Sequence, residues 1–113
     1  MTKKEKPPWA IGAVMRRCVA FSRFCEDTGF SVHDAAQFLT ACRRRATAWI
    51  AGNNSGLPAV YERYCRRSDH WQARAAEIAS KYGFEIQWPG LWPVLRYRPD
   101  TGEWRTVHYP EVG

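Results

Sequence analysis

The stretch Ser31–Ile50, SVHDAAQFLTACRRRATAWI, decides how the N-terminal part of this chain folds. Val32, Ala35, Ala36, Leu39, Cys42, Ala46, Trp49 and Ile50 step by threes and fours, the period of one buried helical face. A break after Leu39 would instead leave two shorter helices, the second opening on Arg43, Arg44 and Arg45. Such a break needs a residue that leaves helical geometry, and neither Thr40 nor Ala41 has glycine's access to positive φ. Leu39–Ala48 is also rich in Ala and Arg, both strong helix formers. The expectation is one unbroken helix. Its outer line would be Gln37, Thr40, Arg44 and Ala48, with Arg45 beside it.

The flanks punctuate clearly. Upstream, Lys3–Pro8 looks like a charged arm, and Ile11, Val14, Met15, Cys18, Phe21 and Cys25 mark the apolar face of a helix over Trp9–Asp27. Gly29 is suited to stop it, and Ser31 with Asp34 to cap the next. Downstream, AGNNSGLP (Ala51–Pro58) is a loop. A third helical region over 58–82 carries Val60, Tyr61, Tyr64, Cys65, Trp71, Ala75, Ile78, Ala79 and Tyr82 on its apolar side. It is either one helix or two, because Asp69 and Gln72 could cap a fresh start.

After Gly83 the period changes to alternation. Phe84, Ile86 and Trp88 face one way, Glu85 and Gln87 the other. WPGLWP forms a turn, and VLRYR-PDTG-EWRTVHY reads as a hairpin with Pro99 second in the turn. A four-residue loop would pair Arg98 with Glu103, Tyr97 with Trp104, Arg96 with Arg105 and Leu95 with Thr106. Leu95, Tyr97 and Trp104 would then face the helices. The expected fold is α+β, a bundle of three or four helices followed by a three-stranded antiparallel sheet. It is expected to be a single domain: a basic arm (1–8), a helical part (9–83) and a sheet (84–113).

Charge divides along the same line. Residues 1–83 hold 14 basic and 7 acidic side chains, residues 84–113 only 3 and 4, which together give the net +6. A basic helical part implies an anionic partner. Arg43, Arg44 and Arg45 on the second helix, with Arg63, Arg66, Arg67 and Arg74 on the third, are the candidate anion-binding residues. They would form one face if the two helices lie side by side. Arg96 and Arg105, as like charges across a hairpin, need relief from Glu85, from a phosphate or from an acidic partner. Trp88 and Trp92, flanking Pro89-Gly90, are either a lid on the core or an exposed interaction surface, and the lid is favoured.

Several classes are disfavoured. Arg16 and Arg17 interrupt the only N-terminal apolar run, and no stretch approaches a membrane span, so a cytoplasmic protein is expected. Cys18, Cys25, Cys42 and Cys65 should then be buried free thiols. No close-spaced ligand pair joins them to His33 or His70, so no metal or other cofactor is expected. His33, His70 and His108 fall on different elements and no catalytic constellation appears, so an enzyme is not expected.

Two resemblances attach to these residues. Ala35, Ala36 and Leu39, then CRRRATAW, resemble the helix-turn-helix of many regulators; this implies Arg43, Arg44 and Arg45 at a DNA groove and Trp49 in the core. The turn position usually held by glycine is Thr40 here. The segment YERYCRRSDHWQARAAEIASKYGFEIQWPGLWPVL, within residues 57–95, resembles small prophage-encoded proteins of unknown function. In place of their Asp-Pro-Arg-Gly turn stands Trp88-Pro89-Gly90-Leu91, and the resemblance implies a mobile-element setting but no activity. The expected function is that of a small basic nucleic-acid-binding or regulatory protein with DNA or RNA as partner. The alternative is a protein-binding accessory factor, such as a phage inhibitor, with an acidic partner protein. A homodimer stays open, and no membrane partner is expected.

Overall fold

The computed structural model describes the backbone of residues 8–110 and the side chains from Arg17 to Pro110. The charged arm before Pro8 and the side chains of Ile11, Val14 and Met15 lie outside the described residues. Three helices, α1 (Pro8–Thr28), α2 (Val32–Asn53) and α3 (Pro58–Lys81), precede three strands, β1 (Glu85–Gln87), β2 (Val94–Tyr97) and β3 (Arg105–His108). The strands form one antiparallel sheet in the order β1-β2-β3, and the fold is α+β.

The opening stretch is a continuous helix. Thr40 and Ala41 lie within α2, which contradicts the helix-turn-helix resemblance: with no positive-φ residue available there, the 3.6-residue repeat runs on. The third helical region is likewise one helix, uninterrupted at Asp69.

Local chemistry sets the helix boundaries. Gly29 takes φ +73° and its N–H bonds to the Cys25 carbonyl at 2.9 Å, closing α1. Ser31 Oγ then accepts the Asp34 N–H at 3.1 Å and caps α2. Asp34 itself is clamped from α3 and the residue after it. Lys81 Nζ donates to its carboxylate at 3.2 Å and the Tyr82 hydroxyl donates to Oδ2. These bonds pull the Asp34 carboxyl below the usual carboxylate range, the Tyr82 hydroxyl being the largest cause. One cluster thus ties the start of α2 to the end of α3.

The core differs from the expected stripe. In α2 the buried residues are Ala35, Phe38, Ala41, Cys42, Arg45, Ala46, Ala48 and Gly52, while Val32, Trp49 and Ile50 are exposed. The face is turned by about one residue, and the reason is the neighbour. Helix α3 presents Ser68, Ala75 and Ala79 to the interior, so the pair packs through small residues that let the backbones approach. A Cβ on Gly52 would stand 3.1 Å from the Tyr64 Cβ. No room remains for a tryptophan between such helices. Beyond this contact the space widens, and Phe38 fills it with Phe24, Phe30 and Phe84, rings 5.6 to 5.9 Å apart along the chain of contacts. In α1, Phe24 rather than Cys18 points inward, and Cys18 is exposed.

The hairpin register also departs from expectation. Observed partners are Val94–His108, Leu95–Val107, Arg96–Thr106 and Tyr97–Arg105. The turn closes through Gly102 N–H to the Pro99 carbonyl at 2.9 Å, so Pro99 is first in the turn, not second. Two residues, Glu103 and Trp104, then separate the turn from β3, against one, Arg98, before it. That extra residue moves every pair by one and flips the faces. The gain is apolar: Leu95 meets Val107, both buried, instead of Thr106. As a result Arg96 and Arg105 are not partners, and Trp104 is 45% exposed rather than core-facing.

Candidate nucleic-acid interface

The three consecutive arginines of α2 diverge because successive helical residues are 100° apart. Arg45 points inward and retains only 8% of its exposure. Its Nε donates to Gln72 Oε1 at 3.1 Å, and Nη1 to the carbonyls of Leu91 at 3.0 Å and Gly90 at 3.3 Å. Its guanidinium lies 4.1 Å from the Trp88 ring centroid. Burial draws its proton affinity down, while Asp69 opposes that shift. Arg45 is therefore a buried strut holding the WPGLWP turn to α2 and α3. Its expected place on the outer basic line is wrong, because it turns inward to donate to the two turn carbonyls and to Gln72.

Arg43 is exposed on another side, beside a hollow of about 520 Å³ lined with Arg17, Phe21, Leu39 and Tyr109. Arg44 is the member of the trio that reaches α3. Its guanidinium lies 4.7 Å from the Trp71 ring centroid. Trp71 in turn lines an open groove of about 530 Å³ with Ala59, Glu62, Arg63, Arg66, Arg67 and His70. Arg63, Arg67 and Trp71 follow at four-residue steps, which stacks them along one side of α3. Three guanidinium groups, those of Arg63, Arg66 and Arg67, thus line the groove, with that of Arg44 over the Trp71 ring, against a single carboxylate in its lining, Glu62. Glu62 reaches only Arg66, at 4.0 Å between two well-exposed side chains, so it neutralises little. Arg67 also lies 5.4 Å from the Tyr64 ring centroid. Arg74 leaves the group, bound instead to Glu77 at 3.3 Å.

The residues expected as a second surface make separate contacts, and Trp92 stays 41% exposed. Trp88 is half-buried beneath Arg45, and Trp92 stacks on Tyr109 at 4.6 Å. Arg105 donates to the Asp27 carbonyl at 3.3 Å, a link between β3 and the end of α1. Arg96 faces the outer side of the sheet opposite Glu85, and lies with Arg98 over Trp104, 4.5 and 5.7 Å from its ring centroid.

Sequence reasoning missed His70 and Trp71 as groove residues. Trp71 is half-buried against the core, as its place in the apolar stripe of α3 implies, and its position four residues after Arg67 also brings it to the groove. Among the described residues no cluster of His, Cys, Asp or Glu is arranged to hold a metal ion, and no helix is long and apolar enough to cross a membrane. The chain matches no family model, no curated protein and no solved structure.

Proposed function

We propose that this chain is a small nucleic-acid-binding protein and that the α3 groove is its phosphate-contacting surface. The observation that carries the reading is the placement of Arg44, Arg63, Arg66 and Arg67 around the partly exposed ring of Trp71. Guanidinium groups match phosphate oxygens in bidentate geometry, and an aromatic ring among them offers a base or sugar an apolar surface. A phosphate backbone supplies repeated negative charge to such a cluster. Contacts from such a groove go to the nucleic-acid backbone, so affinity comes from phosphates more than from base edges. The mobile-element setting implied by the resemblance over 57–95 is compatible with such a role, and the reading assigns the chain binding rather than a reaction.

A second reading, a protein-binding accessory factor, draws on Ile50 and Leu57, exposed apolar residues near the α2–α3 loop. Titration of labelled duplex and single-stranded DNA at about 50 and about 200 mM salt separates the two. Nucleic-acid binding should weaken steeply between these conditions. Absence of any complex at micromolar protein would reject the nucleic-acid reading in favour of the second.

A further inference from the structure

Helices α2 and α3 enclose a second hollow, of about 270 Å³, lined by Arg45, Trp49, Asn53, Tyr61, Ser68 and Asp69 among others. On α3, Tyr61, Cys65, Ser68 and Gln72 follow one line, whereas Ala59, Arg63, Arg67 and His70 follow the line of the basic groove. The two lines lie on opposite sides of α3, and Glu62, Arg66 and Asp69 occupy the strip between them that a strand passing from the groove to the hollow would cross.

Trp49 is unlike the other tryptophans. Among the described residues, Trp71 carries Arg44, Trp88 carries Arg45, Trp104 carries Arg96 and Arg98, and Trp92 stacks on Tyr109. Trp49 has neither a guanidinium nor another ring against it, and it is 51% exposed, with Tyr61 at 47% across the same hollow. An exposed indole and phenol at the rim are thus combined with polar groups in the lining. Among the described residues, the side chains of Asn53, Ser68 and Asp69 make no hydrogen bond within the chain.

We propose that this hollow takes one unstacked base of a single-stranded nucleic acid whose backbone crosses that strip of α3 from the groove. The inference rests on the proposed phosphate-binding role of that groove. An aliphatic side chain from a partner protein would fit the chemistry poorly, since it would leave Asn53, Ser68 and Asp69 desolvated without partners. Arg45 and Asp69 line the same space with opposite charges, so neither a cation nor an anion is favoured by net charge. A neutral planar heterocycle satisfies both constraints: its face lies on Trp49 or Tyr61 and its edge bonds to the polar lining. The Asp69 carboxylate accepts only, so it favours the amino group of cytosine over the N3–H of thymine, which two carbonyl oxygens flank and which would bring them against the carboxylate.

Anisotropy titrations of labelled oligocytidylate, oligothymidylate and a duplex of equal length test this, with the wild type, Trp49→Ala, Trp49→Phe and Asp69→Asn. Oligocytidylate should bind tighter than oligothymidylate and than the duplex. Trp49→Ala should weaken the single strand by about 5- to 150-fold, the range of one lost base stack, and leave the duplex unchanged. Trp49→Phe should recover most of that loss, and Asp69→Asn should make the two single strands equal. Thermal melts confirm that each variant is folded. If oligonucleotides bind but Trp49→Ala and Asp69→Asn match the wild type, the base pocket is wrong and the groove survives. If no oligonucleotide binds the wild type, both fall. If Trp49→Ala instead abolishes self-association, the exposed ring belongs to a protein interface and the base pocket is likewise rejected.

Discussion

Arg44 and Arg45 are adjacent in sequence, yet each guanidinium lies over a different tryptophan: Arg44 over Trp71 at the surface, Arg45 over Trp88 in the interior. A single 100° step along α2 separates a candidate ligand contact from a structural strut. The two substitutions should therefore separate cleanly. Arg45→Ala should cost about 1–3 kcal/mol in chemical denaturation, because the part-buried acceptors of Gly90, Leu91 and Gln72 lose a charged donor. Arg45→Lys should recover only part, since an ammonium cannot reproduce the fork. Arg44→Ala should cost no more than about 1 kcal/mol, the scale of an exposed cation–π contact, while weakening oligonucleotide binding. Equal stability losses at the two positions would contradict the division of roles.

Helix continuity has its own test. Thr40→Gly should destabilise by about 1 kcal/mol, through backbone entropy and lost propensity within α2. A neutral or stabilising effect would mean that this position wants positive φ, and so a turn.

Acid should loosen the clamp on Asp34. Its folded pKa is depressed, so the clamp contributes its full stability above the unfolded carboxylate value, near pH 4. That contribution is lost as the pH falls below this value toward the folded one. Urea midpoints measured across this window should fall less in Asp34→Asn than in the wild type, and the variant should start lower at neutral pH. Parallel pH profiles would show that Asp34 gains nothing from Tyr82 and Lys81.

The thiols divide by burial. Cys42 is buried and its thiol is pushed up to about 12 by that burial, so it should resist a thiol reagent until the chain unfolds. Cys18 is exposed and should react at once, with Cys25 and Cys65, half-buried, between them. Rapid labelling of Cys42 in the native protein would mean that the α2 core face opens far more readily than its packing implies.

The sequence carried the order of elements well, because its punctuation is chemically specific: Gly29, Ser31, Pro58 and Gly83 each mark a boundary that the backbone respects. The continuity of α2 was legible for the same reason, as nothing near Thr40 can turn. The faces were less legible. A stripe counted by apolar residues favours Trp49 and Ile50, but the α2–α3 contact selects small side chains, and Gly52 and Ala48 carry no apolar signal strong enough to show this. The hairpin failed at one residue, since Gly102 announces a turn without fixing which residue opens it. Among the candidate site residues, Arg63, Arg66 and Arg67 share the groove as their spacing implied, and Arg44 joins them. Arg45 could not be sorted from Arg44 by spacing, because its partners are carbonyls from residues 45 and 46 positions away.

The most direct measurement of the central claim is the salt dependence of affinity for a single-stranded oligonucleotide in the wild type and in Arg63→Gln/Arg67→Gln. If the α3 groove holds phosphates, the slope of log K against log salt should shrink by about one unit for each removed contact, or about two in the double variant. Affinity at low salt should fall with it, while the fold stays intact because both arginines are exposed. An unchanged slope and affinity in the folded double variant would contradict the account and place the nucleic acid, or the true partner, elsewhere on the molecule.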